Sequence, residues 1–478
     1  MIRLRSFLSL ACVVALAASL AGQGPAGASR YRMSQRHIAD GVTLIRITDS
    51  HGPNRIRVLK IDPTKAAMVD VGLPSGLFPS YGTTGAIARA YGAVGAVNGD
   101  FALFGHPLHP FIEDAQIQVL GSRLGNGFSE ALDEQAGYVG RRVLRVRAIA
   151  PDSKQTIARW NFGDPRGDQL GAFTRIGGSV EAPPKHACQV RLSAADSPQW
   201  MDASRTGVAR RYRVSAKACR RKALSPGKHR STVVLSAAGA NGPTAHWVRS
   251  LPKGASIRIE WRIAHWPGVT DRIGGVPLLL EDGNNVAPAN CGSYFCDRNP
   301  RTGVGTTPDG QVLFITVDGR QHDSVGMTLP EFASVFKTLG SNWALNLDGG
   351  GSTTMLAKYR GKLRVVNQPA VSTHRDQRPI TSALLVLGKR DPHEPSTLFG
   401  SDTASGLVPV TSGLEPVTSA DVSVGPAAAR RAWAAAVRDP GSTGGLLAAE
   451  QSGGLGATPA LSPDLQRIVQ QYRRVSGG

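Results

Sequence analysis

The densest chemical signal in the chain is Asn346-Leu347-Asp348-Gly349-Gly350-Gly351-Ser352-Thr353-Thr354. A carboxylate that leaves a strand, followed by glycines whose N–H groups can turn toward one point and then by three hydroxyls, can hold an anion and set an acid or base beside it. The loop is not a nucleotide P-loop, because no Lys follows the glycines. Ser352 is a poor match to a hydrolase nucleophile elbow, which carries Gly two residues to either side, whereas Thr354 fills the second place. Asp318-Gly319-Arg320-Gln321-His322 puts a second carboxylate after an apolar run, although Asp-Gly there is also the signature of a plain hairpin turn. Asn98-Gly99-Asp100-Phe101 offers two polar side chains at the end of an apolar strand, as a substrate pocket requires. Arg301 and Arg378 can each grip phosphate through two parallel N–H donors. In a chain with 55 Lys and Arg, each is equally a solvated surface charge.

These groups need strands to hold them. Residues 312–317 read as a buried strand ending at Asp318, and 343–347 as another ending at Asp348. Between them Thr328 caps a helix predicted over 329–339, with Glu331 completing a capping box and Gly340 as the stop. The order predicts a βαβ unit with both aspartates at the carboxyl ends of its strands, where ligands of such sheets gather. Residues 29–140 and 271–388 are read as two parts of one α+β catalytic core, a mixed sheet with helices. Residues 141–270 alternate polar and apolar in Arg-rich runs and are read as an inserted β-rich module. Residues 389–478, mostly Ala, Gly, Ser, Thr and Pro, cannot bury enough apolar area to offset their ordering entropy, and read as a largely disordered tail.

Composition narrows the classes. With 41% hydrophobic residues the chain holds ordinary soluble cores, and its 56 glycines and 31 prolines are scattered, which argues for many turns and against collagen or a long coiled coil. Of the net charge of +20, about +18 falls on residues 29–388, an excess that suits an anionic partner. Arg3 and Arg5, an apolar run, then Ala26-Gly27-Ala28 make residues 1–28 a secretory signal peptide, too short in its apolar part for a stable membrane anchor. Export and the low aromatic share argue against nucleic acid. Cys12 leaves with the signal, so four cysteines remain for two disulfides, most simply Cys188 to Cys219 and Cys291 to Cys296.

Taken in order, Asn98-Gly99-Asp100-Phe101, Arg301-Thr302-Gly303-Val304-Gly305, Val317-Asp318-Gly319-Arg320, Gly326-Met327-Thr328-Leu329-Pro330-Glu331 and Asn346-Leu347-Asp348-Gly349-Gly350-Gly351-Ser352-Thr353 resemble the phosphodiester glycosidase family. The resemblance implies hydrolysis of the bond between a sugar's anomeric carbon and phosphate, in a glycosyl phosphodiester or an anionic envelope polymer. It does not cover the middle module or the tail. On this expectation Asp348 and Asp318 are the catalytic carboxylates, and Arg301, Arg378 and the Gly349-Gly350-Gly351-Ser352-Thr353 loop grip phosphate. Asn98, Asp100 and His322 are expected to contact substrate. No cofactor is required, though Asp100, Asp318 and Asp348 are oxygen ligands of the kind that suit Mg or Ca. The competing expectation is a secreted protein that binds such a polymer without cutting it.

Overall fold

Short runs rich in Val, Ile and Leu, punctuated by Gly, Asn and Asp, fold here as strands that pair antiparallel except for Ser153–Trp160 with Leu170–Phe173 among the described residues. The structure is a computed structural model that describes residues 31–388 apart from short internal stretches, the longest being 181–186 and 371–376. Segment 1–28, read as a signal, and the tail 389–478 lie outside the described residues. Among the described residues no helix is long and apolar enough to cross a membrane.

Seven strands carry the site: β1 (Asn54–Ile61), β2 (Gly95–Asn98), β3 (Arg301–Thr306), β4 (Val312–Val317), β5 (Trp343–Asn346), β6 (Met355–Tyr359) and β7 (Ala383–Leu387). An eight-stranded sheet runs Tyr31–Ala39, Val42–Asp49, β1, β4, β3, β5, Leu278–Glu281, Asn284–Asn285. A five-stranded sheet runs Lys362–Val365, β6, β2, β7, Met68–Gly72. Alternation along the first sheet sends Leu59, Val304, Phe314 and Leu345 into one core with Val97, Met355 and Leu384 of the second. Val58, Leu313, Ile315 and Ala344 face the other way, onto Phe332 and Phe336 of the helix α1 (Leu329–Thr338). Each of the larger of these side chains, from Val to Phe, stabilises the fold by about 1.5–3 kcal/mol when fully buried. Gly303 and Gly305 let α1 approach, since a Cβ on either would lie 2.7–3.0 Å from a Phe332 or Phe336 ring carbon. Thr328 and Glu331 form the capping box, and Gly340, at φ +92°, follows the helix end.

The α+β expectation is overturned. About 50% of the structure is strand and 10% helix, with three helices and a closed seven-stranded barrel, so the fold is mostly β. The βαβ unit fails for a specific reason: β3, contributed from upstream, lies between β4 and β5 and pairs antiparallel with both. Its glycines hide it from a local reading, because Gly ordinarily weakens a strand. Since β4 and β5 both oppose β3, they run the same way, and Asp318 and Asp348 leave the sheet at the same edge.

The barrel is built from strands between Leu144 and Ile263, and the pairing of Cys188–Ala194 with Gly207–Cys219 closes it. The Cys188–Cys219 disulfide joins facing residues of that closing pair. The second disulfide, Cys291–Cys296, ties the loop that leads into β3.

Candidate active site

β5 hands the chain to Leu347, whose N–H donates to Thr302 O at 2.8 Å, and then to Asp348, whose N–H donates to Gly99 O at 3.1 Å. The turn beyond is tight. A Cβ on Gly349 would sit 2.7 Å from Pro300 O, and Gly350 has φ +59°, where a side chain is strained. Asp348 is half-buried at the head of this turn. Burial lifts its pKa to about 6; the Ser352 hydroxyl, the Arg378 charge and the Gly349 N–H pull it down, while the Asp100 carboxylate pushes it up. A carboxyl near 6 can give or take a proton close to neutrality.

Asp100 is the second carboxylate at this place. Its Oδ1 accepts from Phe101 N at 2.7 Å and lies 2.6 Å from His109 Nδ1, and its Oδ2 accepts from His109 N at 2.7 Å. Both side chains are fully buried. His109 Nε2 has no hydrogen-bond partner among the described residues. Gly274 makes room for it, as a Cβ there would lie 1.9 Å from the His109 Cβ. Sequence reading missed His109, which stands nine residues from Asp100 and carries no motif around it; only the fold-back of the intervening loop brings the two together.

Asp318 stands at the end of β4, held by its own set of donors. Its Oδ1 accepts from Asn367 Nδ2 and Gln368 N, each at 3.0 Å, and its Oδ2 lies 3.3 Å from Arg55 Nε. Burial raises its pKa, against the pull of Gln368, Asn367, Arg57 and Arg55. It touches the glycine loop through Asn367, whose Nδ2 also donates to Thr353 O at 3.1 Å. The expected pair of Asp318 and Asp348 thus shares an edge of the sheet, while the carboxylate whose charge reaches Asp348 is Asp100.

The remaining expected residues divide in the same way. Arg378, half-buried, acts electrostatically on Asp348 and on Tyr81. Arg301 is buried and donates to three main-chain carbonyls, Met327 O, Phe295 O and Asp297 O, so the structure spends it on the disulfide loop. Asn98 donates to Asp348 O at 2.6 Å and accepts from Thr302 Oγ1 and Thr354 N, a crosslink of β2, β3 and the glycine loop. Within that loop the N–H groups of Gly350, Ser352 and Thr353 donate to Pro300, Gly349 and Gly350 carbonyls, which leaves less of an anion cradle than the sequence suggests. Ser352 and Thr353 are buried, and His322 is exposed on the turn after Asp318. Among the described residues no three acidic, His or Cys side chains converge to hold a metal, and the imagined Asp100, Asp318 and Asp348 triad is not assembled.

Residues 220–387 match the phosphodiester glycosidase family model, so four of the five motifs lie within the matched segment. The family resemblance read from those motifs therefore holds. Of curated proteins, the uncharacterized protein YomE from the SPbeta prophage of Bacillus subtilis strain 168 is 42% identical over 87 residues, 18% of this chain. The chain spans 14% of that relative's length. Two solved structures share the fold: a hypothetical protein from Synechocystis (TM-score 0.56, 17% identity, 76% of this chain and 69% of that one) and an exported-protein candidate of Burkholderia pseudomallei K96243 (0.55, 18%, 76% and 97%). The catalytic domain of zebrafish N-acetylglucosamine-1-phosphodiester alpha-N-acetylglucosaminidase, auto-inhibited by its pro-peptide, aligns over 76% of this chain and 85% of its own at 18% identity and a TM-score of 0.36, too loosely for transfer of residues.

Proposed function

We propose that the chain is a secreted hydrolase that cleaves the bond between a sugar's anomeric carbon and phosphate in a glycosyl phosphodiester, releasing the sugar and a phosphomonoester. The observation that carries this reading is Asp348, a half-buried carboxyl that burial lifts to about 6, within electrostatic reach of the Arg378 cation and the Asp100 carboxylate. Breaking a glycosidic C–O bond builds positive charge at the anomeric carbon, and two carboxyls are the usual equipment for stabilising it. Ionised Asp348 either attacks that carbon, forming a glycosyl ester that water then hydrolyses to free sugar and carboxylate, or takes the proton of the attacking water. The C–O bonding pair stays on the phosphate oxygen as it departs. The product phosphomonoester has a second pKa of about 6, so it leaves without full protonation, and Arg378 balances its charge. Asp100, held by His109, is the second carboxylate, and Asp318 positions the glycine loop through Asn367.

Two disulfides favour an oxidising compartment, and the basic excess favours an anionic aglycone such as an envelope polymer. The test is incubation with a panel of sugar-1-phosphodiesters, following free sugar and phosphomonoester by NMR. Release of both, abolished in Asp348→Asn, is the expected result; full activity in a folded Asp348→Asn protein would end the assignment. The non-catalytic reading, retention of an anionic polysaccharide by the same basic excess, requires no product from any diester and retention that falls steeply with salt.

A further inference from the structure

A cavity of about 80 Å³ lies away from Asp348, at the mouth of the barrel where it meets the Gln116–Val119 strand. Gln116, Trp160, Arg175, Arg210, Tyr212 and Trp261 are among its lining. Three observations define what fits. First, three aromatic side chains line one space: Trp160, Tyr212 and Trp261 are each less than a tenth exposed, and their faces suit the C–H faces of a sugar ring. Second, Trp160 Nε1 is buried with no hydrogen-bond partner among the described residues, whereas the neighbouring Trp261 Nε1 donates to Ala115 O at 3.1 Å. A buried indole N–H left in this way costs free energy until an acceptor oxygen reaches it. Third, the rim is cationic: Arg175 is exposed there, and the Arg210 guanidinium lies 5.8 Å from the centre of the Tyr212 ring. The volume, that of a few ordered waters, admits the edge of one pyranose.

We infer that this pocket binds one sugar-phosphate unit, the ring edge against the two tryptophans with a hydroxyl oxygen on Trp160 Nε1, and the phosphate toward Arg175 and Arg210. The wall of the pocket leads toward the proposed active site. Ile176, which lines it, accepts the Phe78 N–H through its carbonyl at 2.7 Å, and the Phe78 ring stacks on His106 at 4.9 Å. Three residues on from Phe78, the Tyr81 hydroxyl accepts the Gly105 N–H at 2.8 Å and faces the Arg378 charge. Resting on the hydrolase reading, the pocket is then a second subsite that holds one unit of a sugar-phosphate polymer while another is cut at Asp348.

The experiment is an indole N–H titration by heteronuclear NMR on the full chain, with the Trp160 signal assigned by its disappearance in Trp160→Phe. The probes are glucose-1-phosphate, methyl glucoside and inorganic phosphate, then an oligomer of sugar phosphates. Glucose-1-phosphate is expected to move the Trp160 signal saturably, methyl glucoside to move it more weakly, and Trp160→Phe to weaken binding about tenfold. Gln116→Ala, at the half-buried rim, is a second variant that spares the barrel core and is expected to weaken binding severalfold. With the oligomer as substrate Trp160→Phe should raise KM severalfold and leave kcat, and turnover of a single small diester, unchanged. No movement with any sugar, or equal movement with inorganic phosphate alone, overturns the pocket. A Trp160 response in a protein that cleaves no diester upholds the pocket and removes the hydrolase reading, so the two failures are distinct.

Discussion

His109 Nδ1 lies 2.6 Å from Asp100 Oδ1 with both side chains fully buried, and the charge of that same Asp100 reaches Asp348. The two carboxyls are held differently. Asp100 is fixed by three donors and closed to solvent, whereas Asp348 is half-buried and has a raised pKa.

Asp348→Asn should separate function from stability. Activity on a glycosyl phosphodiester is expected to fall by about 10²–10⁴-fold, the span associated with a positioned acid or base. Stability should move the other way. A carboxyl raised from its ordinary 3.8 to about 6 in the folded protein stabilises it only while protonated, a contribution complete below about pH 4 and lost as pH rises through 6. At pH 7 the folded wild type thus carries a penalty of up to about 3 kcal/mol, reduced by the solvent that reaches the group. Urea unfolding at pH 4 and pH 7 checks this: the variant should match or exceed wild type at pH 7, and the difference should shrink at pH 4.

The acidic limb of the kcat/KM profile should report the same group. If ionised Asp348 is the working form, the limb falls near pH 6 in wild type. Arg378 lowers that pKa, so Arg378→Gln should shift the limb to higher pH and raise KM for the diester several-fold, with little effect on unfolding. An unshifted limb would detach Arg378 from Asp348.

Local signals in the sequence reached local structure. The capping box at Thr328 and Glu331, the strand over 312–317 and both disulfide pairings are present as their residues dictate. What stayed hidden depends on chain segments far apart. The intrusion of β3 between β4 and β5 turned an apparent βαβ unit into an antiparallel sheet, and the barrel closes through a pairing that no periodicity announces. At the site the Asp348 loop was legible because carboxylate, glycines and hydroxyls are contiguous. Asp100 reads from sequence as a substrate contact or a metal ligand rather than as a neighbour of Asp348, and nothing around His109 singles it out. Arg301 looked like an anion clamp because sequence does not reveal burial, and a buried guanidinium is satisfied by carbonyls.

Arg301 and Asn98 should therefore behave as framework residues. Arg301→Lys keeps the charge but replaces a fork that reaches three carbonyls, and Asn98→Ala removes bonds to Asp348 O, Thr302 Oγ1 and Thr354 N. Each is expected to destabilise by about 2–4 kcal/mol, since buried partners are left unsatisfied. KM for the diester in the fraction that folds should stay near wild type. A large KM change with unaltered unfolding would instead put either residue on the substrate.

Replacing Cys188 and Cys219 by Ser tests what closes the barrel. The bond spans 31 residues and joins facing positions of the closing strand pair, so its loss frees the unfolded chain by about 3–4 kcal/mol on loop entropy. The thirteen-residue strand Gly207–Cys219 keeps its ladders with Cys188–Ala194 and Ser256–Ile263, and the eight-stranded sheet that bears Asp348 makes no use of this bond. Unfolding should thus lose cooperativity, with barrel tryptophan fluorescence changing at lower urea than turnover of a small diester. Loss of both together, at one midpoint, would mean that barrel and site unfold as a unit and that the closing bond supports the chemistry directly.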